Sequence, residues 1–285
     1  KKRCLQWVID HQEPDGSWGG IQPPTVYSLI ALDIMGYGKD SPVMQKGIEG
    51  LKHYEVDEGN RWWFQASLSP IWDTAWGIIS LIESGLSADH DVIEKAAEWL
   101  LEKEVRTEGD WMKNAENVEP GGWAFEFENE KYPDTDDTAE VLMALRLADI
   151  PERQKASAMD RGLVWLLALQ SSNGGWGAYD VDNDREIAYE IPFADFGAMI
   201  DPPSVDVTAH CMEVLSRFGL TADDEIIAEA RDYIRERQEE DGSWFGRWGV
   251  NYVYGVGSVL PALEAIGEDM SKPYVKKSVE WLKKV

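Results

Sequence analysis

Cysteine, histidine and positive charge are all scarce in this chain. Two of its 285 residues are cysteine, Cys4 and Cys211, and four are histidine. The cysteines lie far apart and form no Cys-x-x-Cys pair. That excludes a disulfide scaffold and a structural zinc site, and points to a reducing compartment. Lys and Arg number 27 against 53 Asp and Glu, a net charge of −26. Phosphate backbones are bound by clustered cations, so no nucleic-acid partner is expected. Simple electrostatic attraction to anionic lipid is also disfavoured. No apolar run reaches the ~18–20 residues of a membrane span. The opening KKRCLQWVIDHQ has no signal-peptide pattern. Sustained strand alternation is missing as well.

Tryptophan is abundant, with 14 residues. It recurs in a phrase: an amphipathic helix with a bulky anchor, usually a Gln, then a Gly turn and a Trp. RCLQWVIDHQEPDGSW ends at Trp18, KAAEWLLEKEVRTEGDW at Trp111, RGLVWLLALQSSNGGW at Trp176 and ARDYIRERQEEDGSW at Trp244. A second apolar helix follows each, as in VYSLIALDIMG or VTAHCMEVLSRFGL, and a weaker unit runs through WDTAWGIISLIESGL. Each helix pair leaves an apolar face that only its neighbours can cover. The expected fold is all-α, an α/α toroid of about five helix hairpins. The final KPYVKKSVEWLKKV begins a further repeat, so the chain reads as an excerpt of a longer protein. VDEGN interrupts the pattern near residue 55 and suggests a boundary there.

The stretch YPDTDDTAEVLMAL crowds Asp134, Asp136 and Asp137 before an apolar helical run. Two readings compete. Asp73 in WDTAW, Asp137 in DDTAE and Asp206 in VDVTAH all precede Thr or Val-Thr, as helix caps do, and Asp137 with Glu140 fits a capping box. Asp134 and Asp136 have no counterpart in the other repeats. Three carboxylates this close repel one another, so one should keep its proton and could serve as a general acid. A solvated acidic turn is the bland alternative.

His210 falls four residues after Asp206, so one helix face can carry both. A lone histidine is commonly structural; a cationic one here could bond an aspartate and strengthen it as a proton donor. Aromatics follow the Gly turns, among them Trp72, Phe125, Tyr179, Phe196, Trp248 and Tyr254. Their π faces attract cations. One strong acid within such walls suits carbocation chemistry. Trp18, Trp176 and Trp244 read instead as glue between repeats.

These segments together resemble the bacterial triterpene cyclases, above all the squalene–hopene cyclases. The Gln…Gly-x-Trp phrases are similar to that family's QW repeat and PDTDDTA to its acid motif. GGIQPP, LSPIWDT, SSNGGWGAYDVDN, DPPSVDVTAH and DGSWFGRWGVNYVYG add to the resemblance over essentially the whole chain. It implies a two-domain α/α-barrel enzyme, peripheral or monotopic on the cytoplasmic side of the membrane, that protonates a linear polyprene such as squalene. Residues 1–55 would end the second barrel and 56–285 would form most of the catalytic one. Asp136 would be the proton donor, supported by Asp134 and Asp137. His210 would pair with it, with Asp206 behind. Ile21, Trp72, Phe125, Tyr179, Phe196, Trp248 and Tyr254 would line the cavity. No metal or organic cofactor is implied; membrane lipid is a partner, and a homodimer is compatible. The segment by itself is not expected to turn over substrate.

Competing readings are a sesquarterpene (tetraprenyl-curcumene) cyclase, a prenyltransferase-like toroid with zinc on His210 and Cys211, a glycosidase using Asp136 and Asp206, and a non-catalytic repeat scaffold. Asp136→Asn in the full-length protein separates enzyme from scaffold. A cyclase keeps its circular dichroism spectrum and loses all product, whereas retained cyclisation removes Asp136 as the donor.

Overall fold

The computed structural model describes residues 1–115, 117–190 and 199–285. Among these, eleven α-helices alternate between two layers. The outer helices are α1 (Lys2–Asp10), α3 (Pro42–Leu51), α5 (Asp91–Glu102), α7 (Glu152–Ala168), α9 (Glu225–Glu236) and α11 (Pro273–Leu282). The second helix of each hairpin belongs to the inner layer: α2 (Gln22–Ile34), α4 (Pro70–Glu83), α6 (Thr135–Leu147), α8 (Val205–Arg217) and α10 (Tyr252–Ala265). Inner helices pack side by side in the order α4–α6–α8–α10, and the outer helices α3, α5, α7, α9 and α11 each lean on the inner helix of the preceding hairpin. This is the all-α, toroid-like arrangement that the repeat predicts.

The outer helices other than α7 are strongly amphipathic because they have a solvent side. The inner helix α6 is not. In α6, everything from Thr135 to Leu142 is buried, carboxylates included. A helix covered on all sides has no need of a polar face.

The repeat phrase works as a strap. Gln12 Nε2 donates to Gly16 O (3.1 Å) in its own turn and to Val43 O (3.0 Å) in the next outer helix, α3. Gln170 does the same to Gly174 O (2.8 Å) and to Ile226 O (2.9 Å) in α9, and Gln238 to Gly242 O (3.0 Å) and to Tyr274 O (2.8 Å) in α11. The Trp closes the turn. Trp18 Nε1 donates to Val8 O, Trp176 Nε1 to Leu166 O (2.8 Å) and Trp244 Nε1 to Ile234 O (2.8 Å). All three indoles are buried, which places them as interhelical glue.

One strap differs from the sequence reading. The indole that closes the α5 turn is Trp123, not Trp111. Trp123 Nε1 donates to Leu100 O (2.7 Å), the carbonyl just after the anchor Trp99, as Val8 follows Trp7 and Leu166 follows Trp165. Its backbone N–H donates to Thr138 Oγ1 (2.9 Å), as that of Trp176 does to Thr208 Oγ1 (3.0 Å). An insertion between Leu100 and Trp123 carries Trp111, which packs edge-on against Trp165 at 5.7 Å. The Gln position here holds Glu104, whose carboxylate takes Arg161 Nε (2.7 Å) and a second guanidinium nitrogen (2.6 Å) from α7. A charged fork replaces the amide strap.

Two small hairpins interrupt the helices: β1 (Glu55–Asp57) with β2 (Trp62–Phe64), and β3 (Trp123–Ala124) with β4 (Pro133–Asp134). The second pairs Trp123 with Asp134, so strap and acid motif are one unit. Apolar packing forms two clusters. A small one centres on Trp18, Leu29, Leu32 and Met44 of α1–α3, and the large one runs from Ile71 to Val275. Between them the contact is polar. Gln22 N donates to Ala66 O (2.7 Å), and a side chain at Gly20 would meet Glu126 Cβ at 2.7 Å.

Gln170→Ala removes two hydrogen bonds that tie α7 to its turn and to α9. It is expected to cost about 2 kcal/mol, a melting-temperature drop of ~4–8 °C for a domain of this size. A urea melt reads this; a loss below about 0.5 kcal/mol shows that the strap adds nothing.

Candidate active site

The acid motif sits at the N-terminus of α6. Asp134 is the cap: its backbone is extended (φ −120°, ψ 155°) and its Oδ1 accepts the N–H of Asp137 at 2.6 Å. This corrects the expectation that Asp137 starts the helix. Thr135, Asp136 and Asp137 already form its first turn. Asp73 and Asp206 likewise lie inside α4 and α8, where the residues before the helix are Ser69 and Ser204. α6 starts before its Asp-Thr step because Asp134 satisfies the Asp137 amide, and α4 because Pro70 opens its first turn; α8 starts at Val205 with no side-chain cap. Thr138 and Thr208 hold equivalent strap positions, so Asp206 corresponds to Asp136 and not to Asp137.

Thr135 locks the motif in place. Its N–H donates to Ala178 O (2.8 Å) and its Oγ1 to Gly177 O (2.7 Å). Asp201 holds the same segment from the other side, accepting the N–H groups of Tyr179 (2.6 Å) and Asp180 (2.9 Å).

The deciding contact joins α6 to α8. His210 Nδ1 lies 2.5 Å from Asp136 Oδ1, and both residues are 8% exposed. Nε2 lies 3.1 Å from Ser258 Oγ on α10. Ser258 donates its own proton to Tyr254 O at 3.1 Å, so its lone pair faces the ring and calls for an N–H there. With Asp136 on the other nitrogen, both ring nitrogens are donors, which is imidazolium. Burial by itself would push the His210 pKa down. Asp136 above all, then Glu140 and Asp206, overcome this and lift it to about 10.

Glu140, one turn after Asp136 on α6, is a site residue that the sequence reading passed over as a capping-box member. Its Oε1 is 3.7 Å from His210 Nδ1, and burial pushes its pKa up to about 7. Its spacing of four from Asp136 was the available signal. Asp134 is also raised to about 7 by burial, tempered by its bonds with Asp137. Asp137 is pushed well up, first by burial and then by Asp134. Its Oδ1 is buried without a partner.

Asp206 does not orient His210 as expected. Its Oδ1 accepts Ser204 Oγ (2.6 Å) and its Oδ2 accepts the N–H of Trp248 (2.7 Å). It positions the Trp248 turn instead. His210 and Cys211 also diverge, since Cys211 Sγ points to Thr135 O at 3.9 Å. Among the described residues no three His, Cys, Asp or Glu side chains cluster to hold a metal.

The aromatic candidates fall into groups. Trp72 and Tyr254 flank the imidazole, with ring centroids 6.1 and 6.0 Å away. Tyr179 meets Trp248 edge-on at 6.0 Å. Gly249 admits Tyr254: a Cβ there would lie 2.1 Å from the ring. Ile21 bridges to Ser67 ahead of α2, and half-buried Phe125 follows β3. Phe196 lies outside the described residues. Two surface concavities, of about 430 and 290 Å³, are lined by neither Asp136 nor His210.

With this geometry in view, the relatives are informative. The Squalene-hopene cyclase C-terminal domain matches residues 68–285. The chain belongs to the squalene–hopene cyclase family. The corresponding N-terminal domain matches residues 1–60. A squalene–hopene cyclase of Alicyclobacillus acidocaldarius is 51% identical over 93% of this chain and 42% of its own length. One from Schizosaccharomyces japonicus is 43% identical over 93% and 42%. A dammaradiene synthase of Dryopteris crassirhizoma is 38% identical over 100% and 43%. The chain thus spans less than half the length of these relatives. Among solved structures, the type II terpene cyclase MstE from Scytonema shares the fold, with a TM-score of 0.51, 19% identity, 80% of this chain and 57% of that one.

The raised groups give stability a definite pH slope. Asp134, Glu140 and His210 all have higher pKa values folded than unfolded. The native state therefore holds more protons, and stability falls as pH rises. The contribution of Asp134 is fully present below pH 3.8 and that of Glu140 below 4.5, and both vanish as pH passes about 7; that of His210 is full below 6.5 and vanishes through about 10. The urea midpoint should drop between pH 5 and 8 and again towards pH 10.5, and Glu140→Gln should flatten the first step. A midpoint that climbs from pH 5 to 8 contradicts this assignment.

Proposed function

We propose that this chain forms the acid-bearing part of a triterpene cyclase that converts squalene to hopene or hopanol by protonation. The observation that carries this reading is the buried 2.5 Å contact between Asp136 Oδ1 and His210 Nδ1, beside the rings of Trp72 and Tyr254. Asp136 bonds the imidazolium through Oδ1, which leaves Oδ2 to carry the transferable proton. Giving that proton to a terminal alkene turns Asp136 into a carboxylate. The His210 bond strengthens at that moment, so it favours the transition state over the ground state. The first turn of α6 adds the positive end of a helix dipole. Aromatic faces then stabilise positive charge as rings close along the preorganised chain.

Ile21, Phe125, Tyr179 and Trp248 extend the lining, and Asp206 and Asp201 hold two of its segments in place. The squalene chain is enclosed only in the whole protein, where residues 1–55 belong to one barrel and 56–285 to the other. Among the described residues no helix is long and apolar enough to cross a membrane. The whole enzyme sits peripherally on the cytoplasmic face and draws its apolar substrate from lipid.

The test is to offer squalene and a tetraprenyl-curcumene to the full-length enzyme in detergent and identify products by gas chromatography–mass spectrometry. A pentacyclic product from squalene is expected. Product from the other polyprene alone keeps the acid site and moves the enzyme to the sesquarterpene cyclases. No product from either, by folded protein, returns Asp136 to the first turn of a scaffold helix.

A further inference from the structure

A general acid that must be neutral to act cannot also serve as the sole counter-ion of the cation that activates it. His210 is buried on every side. From α4 it meets the ring of Trp72; from α10 it meets Tyr254 and Ser258; from α6 it meets Asp136 and Glu140; on its own helix Asp206 is the nearest acid. When Asp136 carries its proton, its negative charge is gone. Some other carboxylate then has to balance the imidazolium, because an unpaired buried charge is strongly disfavoured.

The other acids are committed elsewhere. Both oxygens of Asp206 are engaged, by Ser204 Oγ and by the N–H of Trp248. Asp134 accepts the Asp137 amide as the helix cap. Glu140 is different. It is 8% exposed, projects from the same face of α6 as Asp136, and brings Oε1 to 3.7 Å from His210 Nδ1. Among the described residues, Asp136 and Glu140 are the two carboxylates within ion-pair distance of this ring.

We propose that Glu140 is the positioning counter-ion of His210, keeping the imidazole protonated while Asp136 is the neutral proton donor. This deepens the proton-donor reading and rests on it for its catalytic meaning, but the charge on His210 can be measured without turnover. Glu140 touches no reacting atom; it acts through His210. Above about pH 7, where Glu140 ionises, the imidazolium of His210 stands beside the Glu140 carboxylate while Asp136 carries the transferable proton. After proton transfer Asp136 and Glu140 are both anionic around one cation. That favours uptake of a proton from solvent at this pair, consistent with the raised pKa of Glu140, to which Asp136 and Glu213 contribute after burial.

The experiment follows the imidazole nitrogens of this chain, labelled with 15N-histidine, by long-range 1H–15N NMR across pH 5.5–10, with His210 assigned by its loss in His210→Gln. In Asp136→Asn, His210 should stay protonated at pH 7.5. In Asp136→Asn/Glu140→Gln it should be neutral at that pH, in a protein whose amide spectrum remains dispersed. A neutral His210 in Asp136→Asn overturns the proposal, and so does a His210 still protonated in the double variant. Should the double variant not fold, Glu140→Gln alone decides. Its His210 midpoint should fall by at least one pH unit and be restored in Glu140→Asp; an unmoved midpoint overturns the proposal. In the full-length enzyme, Glu140→Gln should lower kcat at least tenfold with KM within twofold and shift the alkaline limb of the pH–rate profile to lower pH. A drop in kcat without that shift speaks for a structural role. Absence of cyclisation by the unmutated enzyme would count against the proposed function, leaving the NMR result to judge the counter-ion.

Discussion

The constraint on which this structure turns is the burial of charge. Asp136, Glu140 and His210 are each 8% exposed, on helices that pack into the large apolar cluster. Ions in such a place persist only when paired and hydrogen-bonded. The arrangement meets that demand from three helices: α6 supplies two carboxyls, α8 the imidazolium and α10 the hydroxyl that accepts its second proton. Moving any one helix leaves a buried charge unpaired, so the site is also a lock on the packing of the inner layer.

Such a lock needs rigid helices, and the straps provide them. Each Gln ties the end of one outer helix to the start of the next, while each indole closes the turn between the layers. Near the acid motif the strap and the site merge. Trp123 is pinned through Thr138 of α6 and pairs as a strand with Asp134, the cap of the same helix. Here the amide strap gives way to the Glu104–Arg161 fork. Two charged nitrogens on one carboxylate fix direction better than an amide does. The insertion before Trp123 separates anchor from indole, and Val105 N donates to Gly122 O (2.8 Å) across it.

Much of this was legible in the residues. The repeat of anchor, Gln, Gly turn and Trp predicts paired helices, because that periodicity belongs to amphipathic helices and Gly ends them. The cluster Asp134, Asp136 and Asp137 marks the acid site, and His210 stands out in a chain with four histidines. Helix starts were less legible. Asp-Thr looks like a cap wherever it occurs, yet the first amides of α6 are satisfied by Asp134 three residues earlier. Spacing also misled at Trp111, since an insertion moved the equivalent indole to Trp123. Glu140 was hidden for a different reason. An acid at the sixth position of an inner helix reads as a capping-box member until a second helix is seen to cover it.

By itself, then, the sequence determined the kind of element at each place and the chemical types available, because local periodicity and turn chemistry need only neighbours along the chain. It determined that Asp136 and His210 belong to consecutive inner helices. Tertiary structure decided which partner each charge takes. Asp136 meets His210 across 74 residues, Asp206 turns to Ser204 and Trp248, Ser258 completes the imidazolium, and Glu140 becomes its second carboxylate. Those choices depend on how far α6, α8 and α10 slide past one another, and that is set by packing and by the cost of leaving any buried charge alone.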